Sequence, residues 1–160
     1  MSENNNDLRN SLWVFGYGSL MSDNWETDYH GTCEGKAILK GYYRAFNKKS
    51  TRNWGSAIKP CPTLGLERST KGECVGLVFK FTINKREAVI TYLKDREGPS
   101  FQLVEVEVEL EDGQKEIALT PINQPGSSTY IGNINFSTLV NMARNAKGEN
   151  GRCFDYIHNI

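Results

Sequence analysis

The alternation between Phe101 and Thr120 constrains this chain more than any other stretch. Val104, Val106, Val108 and Leu110 are interleaved with Glu105, Glu107 and Glu109, a period of two that suits a strand with one buried and one wet face. Asp112-Gly113 interrupts the pattern where a two-residue type I′ turn fits. The expected hairpin sets Val108 opposite Ile117 and Val106 opposite Leu119. The three glutamates read as a solvated face rather than as catalytic acids.

Other segments are shorter. Trp13-Val14-Phe15 is an apolar run suited to a buried strand, and Lys36 to Phe46 carries β-favouring residues. Pro60-Cys61-Pro62 enforces extended backbone before a short strand at Thr63 to Glu67. Ser69 to Glu73 reads as a turn. Cys74 to Phe81 reads as a buried strand in which Gly76 marks a bulge or a close backbone approach. Asn84 and Glu87 form a variant capping box, and Ala88, Val89, Tyr92 and Leu93 give the following helix an apolar face. That helix stops at Gly98-Pro99. Pro121 to Asn135 is a loop. Phe136 to Ala146 is a packing helix, and Gly151 to Ile160 a final short helix or an ordered tail. Neither repeats nor linkers divide the chain, so the expectation is one α+β domain over 11–160, its sheet mixed or largely antiparallel. The polar residues 1–10 read as a disordered lead-in.

Composition excludes several classes of function. Nineteen basic residues balance nineteen acidic ones in 160 residues, so no net field draws the chain to nucleic acid or an anionic membrane. No apolar run approaches the ~20 residues a membrane span needs. The N-terminus has no secretion signal, and the expected location is cytoplasmic. Cys33, Cys61, Cys74 and Cys153 lack any Cys-x-x-Cys spacing and are read as four reduced thiols. His30 and His158 are too isolated for a metal signature, so neither metal nor cofactor is expected.

Candidate chemistry starts where the first strand breaks into Gly16-Tyr17-Gly18-Ser19-Leu20. The two glycines permit φ > 0 and a close ligand approach. Beyond Gly18 the amides of Ser19, Leu20 and Met21 fit an anion-binding nest; the plain alternative is a tight turn with Tyr17 as packing. Met21 replaces the third glycine of a dinucleotide fingerprint, and Ser19 lacks the flanking glycines of a nucleophile elbow. Trp25, Tyr29 and His30 follow in a loop, either walling a pocket or pinning the loop to the core. Asn47 to Trp54 is basic and reads as a solvated loop, although a carboxylate-bearing substrate would give Lys48, Lys49 or Arg52 a partner.

Glu97 is the acid that position singles out. A helix C-terminus disfavours a carboxylate and raises its pKa, and Phe101 nearby adds desolvation. A glutamate raised toward neutrality suits general acid/base work. Asp95-Arg96-Glu97 reads alternatively as a charged surface turn.

Phe15-Gly16-Tyr17-Gly18-Ser19-Leu20 after a Trp-Val strand resembles the substrate loop of the ChaC-type γ-glutamylcyclotransferases. Tyr92-Leu93-x-x-Arg96-Glu97 resembles the second motif of that family, and the segments Pro60 to Glu67 and Gly151 to Tyr156 resemble its bacterial members. Two stretches depart from the family pattern: Gly98 to Phe101, where a glycine-tyrosine turn is common, and Met21 to Trp25, where a Trp-aliphatic-Pro stretch is common. The resemblance implies a barrel-like sheet flanked by a few helices. It implies a cofactor-free enzyme that converts a small γ-glutamyl compound, foremost glutathione, to 5-oxoproline and a free amine. It assigns Glu97 as catalytic acid/base and Gly16, Tyr17, Gly18, Ser19 and Leu20 as the substrate cradle. Rival readings are a cyclotransferase for γ-glutamyl amino acids or γ-glutamylamines, and a non-catalytic module that binds an acidic metabolite.

Overall fold

The computed structural model describes residues 11–99, 101–132 and 134–158; the lead-in expected at 1–10 lies outside them. The apolar opening run forms β1 (Leu12–Gly16), and two long strands follow, β2 (Thr32–Ser50) and β3 (Cys61–Phe81). The alternating stretch forms β4 (Phe101–Leu110) and β5 (Lys115–Asn123). These five close into a barrel in the order β1-β3-β2-β4-β5, antiparallel except where β1 meets β5. Closure joins β1 to β5, so neither stands as a free edge strand at that point. The helices are α1 (Arg86–Glu97), α2 (Phe136–Asn145) and α3 (Cys153–His158), with a two-stranded ribbon, β6 (Lys147–Gly148) and β7 (Gly151–Arg152), before α3.

Strand alternation sorts the apolar residues into separate cores. Phe15, Leu39, Val78, Val106 and Val108 fill the barrel. Their neighbours Val14 and Phe79 point outward and are covered, with Leu119, by Val89 and Leu93 of α1. A third cluster joins the start of β3 to α2 and α3 through Cys61, Ala143, Ala146, Cys153 and Tyr156. Gly76 is a close approach, as its place in an apolar strand suggests. A Cβ there would lie 2.4 Å from the Gly16 carbonyl oxygen and 2.7 Å from the Phe15 ring. Gly76→Ala is expected to cost about 2–3 kcal/mol in denaturant unfolding, because backbone on one side and a packed ring on the other leave nothing to yield.

Several expectations are corrected. The hairpin loop has three residues, Glu111 to Gly113. Gly113 donates to the Leu110 carbonyl, Leu110 donates to that of Gln114, and Gly113 alone adopts φ +86°. A type I′ turn would force Asp112 to positive φ as well; a type I turn with a glycine bulge avoids that. The register therefore moves by one, pairing Val106 with Ala118 and Val108 with Glu116. Ile117 turns to solvent at 54% exposure, while Leu119 is buried beneath α1. Ser69 to Glu73 is no turn but part of β3. Its extra residues are absorbed by a register slip, since Lys40 pairs with Glu73 and Tyr42 with Arg68. Asn84 does not cap α1, because its side-chain Oδ1 accepts from the Thr82 hydroxyl at the start of a 3₁₀ turn, Ile83–Lys85. Gly98, at φ +87°, ends the helix as expected. Cys61 and Cys153 are joined in a disulfide rather than reduced, while Cys33 and Cys74 are free.

Candidate active site

The glycine loop leaves β1 and folds at once into a 3₁₀ turn, Ser19–Met21. Its first bond runs from the Met21 N–H to the Gly18 carbonyl at 3.0 Å. Met21 is thus spent within the turn and drops out of the expected nest, whereas the N–H groups of Ser19 and Leu20 precede that bond and have no carbonyl of the turn to take them. Neither Gly16 nor Gly18 has positive φ; what both supply is a missing Cβ. At Gly16 a Cβ would meet Leu20 Cβ at 2.9 Å, whereas at Gly18 nothing lies within 4 Å. Gly16 therefore packs behind the loop, and Gly18 opens it.

Each part of the Tyr-Leu-x-x-Arg-Glu motif has a physical task. Leu93 is fully buried and fixes α1 to the barrel. One turn along the helix, Arg96 crosses to the glycine loop. Its guanidinium donates to Asp23 Oδ2 at 2.7 Å, to the Tyr92 hydroxyl at 2.8 Å and to Ser19 Oγ at 3.2 Å. Tyr92 stacks on Trp25, with ring centroids 5.5 Å apart and planes 12° apart. Trp25 in turn is buried between Phe79 and Phe81 and donates its indole N–H to the Leu20 carbonyl. The open question about Trp25 resolves toward pinning the loop to the core. Helix and loop are clamped into one wall.

That wall closes one side of a cavity of about 640 Å³. Tyr17, Gly18, Ser19 and Leu20 line it together with Arg96 and Glu97; Gly16 does not. Lys48, Thr63, Trp54 and Tyr156 complete the lining. Burial raises the Glu97 pKa above the ordinary carboxylate range, with Lys48 and Arg96 pulling it back. Burial lowers the Lys48 ammonium, and the Glu97 charge opposes that shift. The Tyr17 phenol is pushed well up by burial and then by Glu97, and it donates to the Pro121 carbonyl at 2.5 Å. Burial takes Tyr156 up to about 12, and its oxygen accepts the Leu64 N–H at 2.9 Å. The cavity thus holds one displaced carboxyl beside phenols that stay neutral at ordinary pH.

A family model, that of ChaC-like proteins, matches residues 12–160. The chain belongs to the ChaC-like family. Its curated relatives include γ-glutamylcyclotransferase 2-3 of Arabidopsis thaliana, 28% identical over 159 residues, covering 94% of this chain and 78% of the relative. A glutathione-specific γ-glutamylcyclotransferase of Schizosaccharomyces pombe is 25% identical over 167 residues, covering 94% and 81%. The crystal structure of a yeast γ-glutamyl cyclotransferase specific to glutathione superposes with a TM-score of 0.81 at 19% identity, over 93% of this chain and 84% of that one. At that identity the superposition establishes a shared fold. This ChaC-like chain is accordingly an enzyme of the γ-glutamylcyclotransferase class.

The lining from β2, β3 and α3 is legible in the sequence only in part: Lys48 is among the residues offered to a carboxylate-bearing substrate, whereas Trp54, Thr63 and Tyr156 are not assigned to a site. Asn47 to Ser50 read as solvated loop, yet β2 continues to Ser50, Asn47 is fully buried and Lys48 faces the cavity. Pairing supplies the reason. Lys48 to Ser50 are laddered against Cys61 to Thr63, and Lys49 donates to the Thr129 carbonyl on the other side. Thr63 and Tyr156 fall within the segments Pro60 to Glu67 and Gly151 to Tyr156 that resemble the family, but nothing in the sequence singles out either residue. The hint of strand pairing is Pro60-Cys61-Pro62, which demands extended backbone in need of a partner.

Proposed function

We propose that this ChaC-like enzyme converts glutathione to 5-oxoproline and Cys-Gly, with Glu97 as the acid/base. The observation that carries the reading is the Glu97 carboxyl, raised by burial and lining the same cavity as the glycine loop. The substrate's α-amine attacks its own γ-carbonyl carbon. The new N–C bond closes the five-membered ring, and the amide bond to the cysteine nitrogen breaks. Glu97 takes the proton from the attacking amine and returns it to the departing one, so no water or co-reactant is consumed. Nucleophile and carbonyl belong to one molecule, and the enzyme's main task is to hold the folded conformer. Tyr17, Gly18, Ser19 and Leu20 cradle the γ-glutamyl group, with the Ser19 and Leu20 amides toward the developing oxyanion. Gly16 supports that cradle from behind.

The cavity, at about 640 Å³, has room for a tripeptide. The test is 5-oxoproline release from glutathione and, separately, from γ-glutamyl-alanine. Turnover of glutathione at the higher kcat/KM is expected. Preference for γ-glutamyl-alanine would transfer the same chemistry to the smaller substrate, and silence with both would remove the assignment.

The pH profile has a defined sign. A base must be ionised to work, and burial raises the Glu97 pKa. The acid limb of kcat/KM is therefore expected above the ordinary glutamate range near ~4.3, activity falling as pH drops through it. An acid limb at or below that range would contradict Glu97 as the base.

A further inference from the structure

Ring closure at Glu97 leaves Lys48 unused. Lys48 and Thr63 are directly paired across β2 and β3, so their side chains stand on one face of the ladder, and both line the cavity. Thr63 is 5% exposed, and its hydroxyl has no hydrogen-bond partner. Buried hydroxyls are rarely left so, and the residue lines the cavity. The Lys48 ammonium rests 3.9 Å above the centre of the Phe101 ring. Among the described residues it has no carboxylate within 4.0 Å. Arg96, the other basic residue of the lining, is already committed to Asp23, Tyr92 and Ser19.

A half-buried cation whose strand partner carries an unpaired hydroxyl is suited to a carboxylate. Two carboxylates of glutathione compete for it. The α-carboxylate shares its carbon with the α-amine, so an amine at Glu97 places that carboxylate one carbon away. Glu97 and Lys48 are close enough to perturb one another without forming an ion pair. We propose that Lys48 and Thr63 form the subsite for the α-carboxylate of the γ-glutamyl substrate, an inference that rests on Glu97 receiving the α-amine. With amine and carboxylate both held, the α-carbon has one orientation, and the amine points at its own γ-carbonyl. The subsite also requires a free α-carboxylate on every substrate, whatever amine departs.

Calorimetric binding to Glu97→Gln protein tests this without turnover. The probes are glutathione, its analogue with an α-carboxamide on the glutamyl residue, and its analogue ending in glycinamide. Glutathione is expected to bind about 10- to 100-fold more tightly than the α-carboxamide, the range of one charge-assisted hydrogen bond. The glycinamide is expected to bind nearly as well as glutathione. Adding Lys48→Gln should weaken glutathione by the same factor and make it equal to the α-carboxamide. Adding Thr63→Val, which keeps shape and removes only the hydroxyl, should narrow the gap by about 3- to 10-fold, and it carries the test if Lys48→Gln does not fold. A preference for glutathione over the α-carboxamide that survives both substitutions overturns the proposal. So does a glycinamide handicap that disappears with Lys48. If Glu97→Gln still forms 5-oxoproline at the wild-type rate, the assignment of Glu97 fails, while the three affinities still decide on Lys48.

Discussion

Glu97→Gln is expected to lower kcat for 5-oxoproline formation from glutathione by about 10²–10⁴-fold, the usual worth of a positioned acid/base, with little change in KM. Gln keeps the shape and the hydrogen-bonding edge, so the cavity and the substrate's pose persist while the proton carrier is gone. Glu97→Asp is informative beside it, because it keeps the carboxylate but withdraws it by one methylene; displacement on the order of 1 Å costs about 10²-fold where geometry matters. Stability provides the control. Burial raises the folded pKa of Glu97. The contribution that favours its neutral form is fully present below the unfolded pKa and is lost as pH rises through the folded value. At neutral pH the ionised side chain is a net burden that Gln does not carry. Thermal melts at pH 7 should therefore show Glu97→Gln no less stable than the parent. A variant that melts earlier has lost structure rather than chemistry, and one that keeps a tenth of parental kcat leaves Glu97 without the role proposed for it.

What the sequence exposes and what it hides divide along a physical line. Features set by neighbours in the chain were legible: the helix that ends at Gly98, the solvated glutamates of β4, the close approach at Gly76, and the pairing of a glycine loop with Tyr-Leu-x-x-Arg-Glu. The motif was recognisable because Tyr92, Leu93, Arg96 and Glu97 do their separate work within two turns of one helix. Features set by distant partners were hidden. Lys48 sits in a basic, polar stretch that by composition belongs in water; only the ladder to Thr63 turns it inward. Tyr156 enters the cavity because α3 is carried there by contacts with the start of β3. The hairpin register slipped by one because Asp112-Gly113 was read as a complete turn, when the strain of positive φ at Asp112 selects a longer loop with glycine alone left-handed. Met21 to Trp25, one of the departures from the family pattern, proves to contain Asp23, the carboxylate that holds Arg96.

Removing the Cys61–Cys153 bond with the double substitution to Ala is expected to cost about 4–5 kcal/mol of stability, the loop-closure entropy of so long a span. The span is 92 residues, from the start of β3 to the start of α3, and it encloses most of the barrel. For a chain of this size the loss corresponds to a fall of about 10–15 °C in Tm. Both cysteines are fully buried, so the substitutions also delete packed sulfur. Cys74→Ala, at a buried cysteine that is free, measures the packing cost of one such sulfur, and twice that cost is subtracted. The damage should be local before it is global. Without the bond, α3 is held by Tyr156, Ala143, Ala146 and the half-buried Trp54 and Phe46. Amide exchange in 153–158 is therefore expected to accelerate well ahead of the barrel strands. Tyr156 then spends less time on the cavity wall and releases the Leu64 N–H, so the KM for glutathione should rise while kcat, set at Glu97 at the end of α1, changes little. A double variant whose Tm falls by only twice the loss of the Cys74→Ala control would show that packing, and not the covalent bond, holds the C-terminal segment in place.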